Sequence, residues 1–144
     1  MKLSLQTDFA LRTLMLLATW QRRATVAEIA AFFGISQAHV ARVVNLLARH
    51  GFIRSIRGVG GGIELNRSPE SVTIGEVIAA FEGNLHLLDC VGSEGVCLIE
   101  SFCKLRGVLR QAERVQWEYL NSVTLQDVLP TPRQLQRVKP PGTR

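Results

Sequence analysis

Cysteine is scarce in this 144-residue chain. Its three residues, Cys90, Cys97 and Cys103, are an odd number, which argues against the paired framework of a small secreted domain and for a reducing compartment. No apolar run is long enough to span a bilayer and no leader peptide opens the chain, so the expectation is a soluble, cytoplasmic protein with no membrane partner. Histidine also numbers three, and none stands in a pattern that pairs a base with a nucleophile. The glycine-rich stretch 58–62 is not followed by Gly-Lys-Ser/Thr and opens no helix, which removes the usual phosphate-cradling nucleotide loop. An enzyme is therefore not expected. Missing too is any Cys-x2-Cys pair, the spacing used by structural zinc sites and dithiol redox motifs.

What is present is one good core and a divided charge. At 47% apolar, 144 residues are enough for one compact unit with an appended element. The net charge of +5 is unevenly spread: residues 1–67 hold nine Lys/Arg against three Asp/Glu, whereas residues 68–129 hold four against nine. The last fifteen residues add four basic side chains and no acid. A positive front half is where a DNA-binding unit needs its field.

All three thiols fall between Cys90 and Cys103, with gaps of six and five residues and with Gly92 and Gly95 inside. Thiolates are soft ligands, and three in one glycine-containing segment predict a flexible loop closing on a soft metal centre larger than a single ion. Gly92, Ser93, Glu94 and Gly95 interrupt any apolar helical face that would make the cysteines ordinary core residues.

Upstream, residues 7–18 predict a first helix capped near Thr7 or Asp8, with Asp8 at the positive end of its dipole. Thr25 with Glu28 makes a capping box for a helix from Val26, Gly34 makes a turn, and Ser36 caps a second helix. That is a helix-turn-helix. With Val40, Val43, Val44 and Leu47 turned inward, the second helix presents Ser36, Gln37, Ala38, His39 and Arg42 as base or phosphate contacts, and Arg49 for the backbone. The alternating run 52–57 and the return 63–65 predict a two-stranded wing, with Arg54, Arg57 and the backbone of Gly60 and Gly61 near phosphate. After a short helix over 73–82 and the cysteine loop, apolar residues recur at helical spacing from Lys104 to Val123. A helix of that length predicts pairing with a second copy, which would set two recognition helices in successive major grooves. The expected fold class is mainly α: a winged helix-turn-helix (1–83), a cysteine loop (84–103), a long dimerisation helix with its cap (104–129) and a flexible basic tail (130–144).

Taken together, the opening Leu3-Ser-Leu-Gln-Thr-Asp-Phe-Ala-Leu-Arg12, the wing Arg57-Gly-Val-Gly-Gly-Gly62, the helix start Ile74-Gly-Glu-Val77, and the three-cysteine loop followed by Leu105-Arg106 resemble the NsrR/IscR (Rrf2) family of iron–sulfur transcription regulators. The resemblance covers Met1 to about Leu129. In NsrR-like members it implies a [4Fe-4S] cluster held by three cysteines of one subunit and an aspartate from the first helix of the other, here Cys90, Cys97, Cys103 and Asp8. IscR-like members hold a [2Fe-2S] cluster with a histidine three residues beyond the third cysteine, where this chain has Arg106. His86 is the rival fourth ligand. The first cysteine gap is longer by one residue than in the usual loop.

The function this implies is a homodimeric repressor that binds a palindromic operator in double-stranded DNA and senses nitric oxide through its cluster. Sensing of iron or cluster status is the alternative within the same family. An iron–sulfur carrier with a winged interaction module is the alternative from a different class.

Overall fold

The computed structural model describes residues 2–83 and 85–138. Helix α1 spans Leu5–Trp20 and buries Ala10, Leu14, Leu16, Leu17 and Ala18. Its cap is Ser4, whose side chain accepts from the Thr7 N–H, so the helix begins a turn earlier than Thr7 or Asp8 would place it. Thr7 is wholly buried instead and donates its hydroxyl to Glu82. Asp8 keeps its place in the first turn.

Helices α2 (Val26–Phe33) and α3 (Gln37–Arg49) form the predicted pair. Thr25 and Glu28 complete their capping box, Gly34 takes the left-handed conformation, and Ser36 accepts from the His39 N–H. These caps answer orphan donors at helix starts and contribute about 1 kcal/mol each. Strands β1 (Ile53–Ile56) and β2 (Gly62–Leu65) pair antiparallel, with Ile53 opposite Leu65 and Arg54 opposite Glu64. Ala24, in the α1–α2 connection, exchanges two backbone hydrogen bonds with Ile63, so the wing is sewn to the helical body.

Helix α4 (Ile74–Glu82) begins at the Thr73 cap and packs against both α1 and α6 (Lys104–Ser122). A single-turn helix, α5 (Asp89–Gly92), lies within the cysteine segment, and 3₁₀ turns cover Pro69–Ser71, Glu100–Phe102 and Gln126–Val128. One core joins these parts. Leu14, Leu47, Phe52, Val77 and Leu125 are each no more than 2% exposed, and they bring together α1, α3, the wing, α4 and the segment after α6.

The tail differs from expectation. Thr131 and Gln134 form a capping box, Pro132 occupies the first turn, and α7 (Pro132–Gln136) places Leu135 against the core. Four prolines and four basic residues from Pro130 to Arg144 suggested a disordered tail, but proline at a helix start replaces a donor that is unsatisfied anyway. Residues 139–144 lie outside the described residues.

Candidate nucleic-acid interface and cysteine loop

The exposed face of α3 carries the residues expected from sequence to face DNA. Gln37, Ala38, His39, Arg42 and Arg49 are exposed, while Val40, Val43, Val44 and Leu47 are buried beneath them. This division follows from the 3.6-residue period, which turns every third or fourth side chain to the same side. Ser36 caps the helix and contacts His39 Nδ1 at 2.9 Å, and the His39 ring lies 6.3 Å from Phe9. Arg42, Arg49 and Arg57 form no ion pair among the described residues.

The wing is differently employed. Arg54 Nε donates to Glu64 Oε1 at 2.7 Å, and Arg23 Nε donates to Glu64 Oε2 at 2.8 Å. Arg23 also donates to the Gly60 carbonyl at 3.1 Å, reaching the wing loop from the α1–α2 connection. Glu64 is held below the usual glutamate range first by the Arg23 hydrogen bond and then by that of Arg54. Gly60 is exposed with φ +72, while a side chain on Gly61 would run into the carbonyls of Ile56 and Gly58. Only glycine lets the hairpin close at 61. The roles of Arg23 and Glu64 escape a linear reading because they lie 41 residues apart, although the Arg54–Glu64 pair follows from hairpin register.

The cysteine segment is less open than its glycines suggest. Cys90 sits on α5, Cys97 is exposed in the loop, and Cys103 caps α6; all three are free thiols. Arg106 Nε donates to the Cys90 carbonyl at 2.6 Å, and its Nη2 reaches the Ser93 carbonyl at 3.3 Å. Its Nη1 pairs with Glu100 at 2.5 Å, and the other Glu100 oxygen accepts the Gly95 N–H at 2.7 Å. Two turns along α6, buried Glu113 accepts the Leu87 N–H at 2.6 Å and contacts His86 Nδ1 at 3.1 Å. Burial pushes the Glu113 carboxyl up, but the Leu87 N–H, His86 and Arg110 outweigh it and hold the group below its ordinary value. The His86 ring occupies the space that a Gly92 side chain would need. The segment is thus fastened to one helix at two levels. Sequence spacing gave no hint of this, because the fasteners are carboxylates and an arginine of an otherwise ordinary amphipathic helix.

Asp8 stands apart from the loop in chain order and is bound by Arg12 Nε at 2.8 Å. Nearby, Glu82 Oε1 accepts the Ser4 N–H at 2.6 Å and the Thr7 hydroxyl, tying the start of α1 to the end of α4. Among the described residues, no three His, Cys, Asp or Glu side chains gather into a metal-sized group within one chain. In donor chemistry the set still suits an iron–sulfur group: three free thiols on a fastened segment, and a half-exposed carboxylate elsewhere. The remaining feature is a stripe on α6, where Leu105, Val108, Val115 and Tyr119 are all more than half exposed.

The Rrf2 model, described as an iron-dependent transcriptional regulator, matches residues 3–131. The chain belongs to the Rrf2 family. Its similarity extends to the HTH-type transcriptional regulator NsrR of Bacillus licheniformis, 36% identical over 132 residues, covering 90% of this chain and 92% of that one. The protein of the same name from Bacillus subtilis is 34% identical, with 90% of each chain covered. Among solved structures, the global cysteine regulator CymR of B. subtilis superposes with a TM-score of 0.71 at 25% identity, over 89% of this chain and 95% of that one. IscR of T. potens, with a TM-score of 0.70 at 24% identity and coverage of 88% and 85%, shares the fold. The Rrf2 protein described here is a transcriptional regulator and not an enzyme. No helix among its described residues is long and apolar enough to cross a membrane.

Proposed function

We propose that this Rrf2 regulator is a cytoplasmic, homodimeric repressor whose hold on a palindromic operator depends on an iron–sulfur cluster and is released by nitric oxide. One observation carries the reading: the segment with all three free thiols is fastened to the same helix that exposes the apolar stripe. Whatever changes the thiols acts on the element that a second copy would cover. Cys90, Cys97 and Cys103 would hold a [4Fe-4S] cluster, with Asp8 of the second copy as fourth donor. Bound there, the cluster supplies an iron whose carboxylate donor is harder and more readily replaced than thiolate.

The chain's own residues do the rest. Ser36, Gln37, Ala38, His39 and Arg42 read base edges and nearby phosphates, while Arg49, Arg57 and the wing backbone at Gly60 and Gly61 fix register on the duplex. Arg54 is paired with Glu64 and stands outside this set. Arg106 cannot serve as a metal ligand, and its three contacts commit it to shaping the loop; this favours the NsrR-like ligand set over the [2Fe-2S] alternative. His86, engaged by Glu113, is second to Asp8 as fourth donor.

A second reading, sensing of iron or cluster supply, draws support from the family description as iron-dependent. The carrier reading loses ground because the named relatives are transcription regulators. Oxygen-free protein is expected to contain iron and acid-labile sulfide, and nitric oxide is expected to abolish its visible absorbance while releasing DNA. Release by chelation but not by nitric oxide would select the second reading. Metal-free protein with undiminished operator affinity would refute both.

A further inference from the structure

Glu64 is the only acidic residue between Glu28 and Glu70, a span that contains the recognition helix and the whole wing together with five arginines. A lone carboxylate in a surface meant for phosphate is unfavourable for DNA binding, so its placement calls for a compensating role. The structure gives it one. Each of its oxygens takes a different arginine, Arg23 at 2.8 Å and Arg54 at 2.7 Å, and the glutamate is the least exposed of the three side chains. Arg23 in turn reaches the Gly60 carbonyl, and Ala24 and Ile63 bond next to it.

We infer that Glu64 is an affinity-limiting residue: it withholds Arg23 and Arg54 from the phosphate backbone and sets the wing, so that the sequence-independent part of DNA binding stays low. The inference rests on the DNA-binding reading above. Contacts to phosphate carry no sequence information, and each adds equally to wanted and unwanted sites. Two arginines held on a carboxylate therefore lower the affinity for every duplex alike. Both pairs are partly solvated, so they add little to folding stability, and their removal leaves the core untouched.

The test is Glu64→Gln in the full-length protein, with binding to a duplex of random sequence followed across salt. The logarithmic salt slope is expected to steepen by about 0.9 for each arginine that gains a phosphate, which tightens random-duplex binding about eightfold per contact at 0.1 M salt. Preference for a duplex selected by the wild type from a randomised pool is expected to stay as it is, because both duplexes gain the same phosphate contacts. The double variant Glu64→Gln/Arg54→Met is expected to recover part of the slope, and Glu64→Asp, which keeps the charge, to stay near the wild type. A Glu64→Gln protein with wild-type slope, or with weaker random-duplex binding, overturns the inference while leaving DNA binding intact. A wild-type protein that binds no duplex at low salt removes the underlying reading as well.

Discussion

Replacing Arg106 with Met removes three contacts at one stroke: the 2.6 Å bond to the Cys90 carbonyl, the 3.3 Å contact to Ser93 and the 2.5 Å pair with Glu100. Arg106 and Glu100 are each 15% exposed, so solvent screens them only in part. A hydrogen bond to a charged group contributes about 1.5–3 kcal/mol net. The freed carbonyls can rehydrate, and Glu100 keeps the Gly95 N–H, so the combined loss is about 2 kcal/mol in the free energy that closes the loop. Opening is local and leaves the winged core folded. Amide hydrogen exchange should therefore accelerate about 30-fold over residues 89–100, with the Gly95 amide the most informative, while α3 exchanges as before. Arg106→Lys, which keeps the charge but loses the guanidinium fork, is expected to fall between the two. Unchanged exchange over 89–100, or an increase shared equally by α3, would refute the idea that Arg106 fastens the cysteine segment.

Three further outcomes follow from the geometry. Because the Glu113 carboxyl is held below its ordinary value, its contribution is present above that value and disappears as pH falls through the depressed one; Glu113→Gln should flatten the acid limb of the thermal midpoint against pH. Val115→Glu together with Tyr119→Glu should shift native mass toward the monomer, since both lie on the exposed stripe of α6, and an unchanged mass would place the subunit contact elsewhere. Leu47→Ala, at a wholly buried site beneath the reading face, should cost about 2–5 kcal/mol of stability in denaturant unfolding.

Local chemistry made the helix-turn-helix legible from sequence. Thr25, Glu28, Gly34 and Ser36 each specify a backbone state within three or four residues of themselves, and Val40, Val43, Val44 and Leu47 repeat at the helical period. The long helix and the wing were readable for the same reason. Errors arose where a tertiary partner decides. Ser4 rather than Thr7 caps α1 because Glu82, 75 residues beyond Thr7, takes the threonine hydroxyl and the Ser4 N–H. The tail reads as unfolded until Leu135 finds the core. At the cysteine segment, glycine content suggested looseness, whereas the anchors are Arg106 and Glu113, whose pairing to carbonyls and amides has no sequence period at all.

At its far end, α6 does not trail off. Leu125 is wholly buried, its N–H reaches the Val72 carbonyl at 2.7 Å, and Ile74 N–H bonds to Val123. Nineteen helical residues make a rod about 28 Å long, bonded to the winged body at one end and bearing the thiols near the other. A displacement of about 1 Å at the thiol end of a rigid rod this long would correspond to a rotation of about 2°. The length of the rod sets this ratio, since a longer arm would turn the same displacement into a smaller angle.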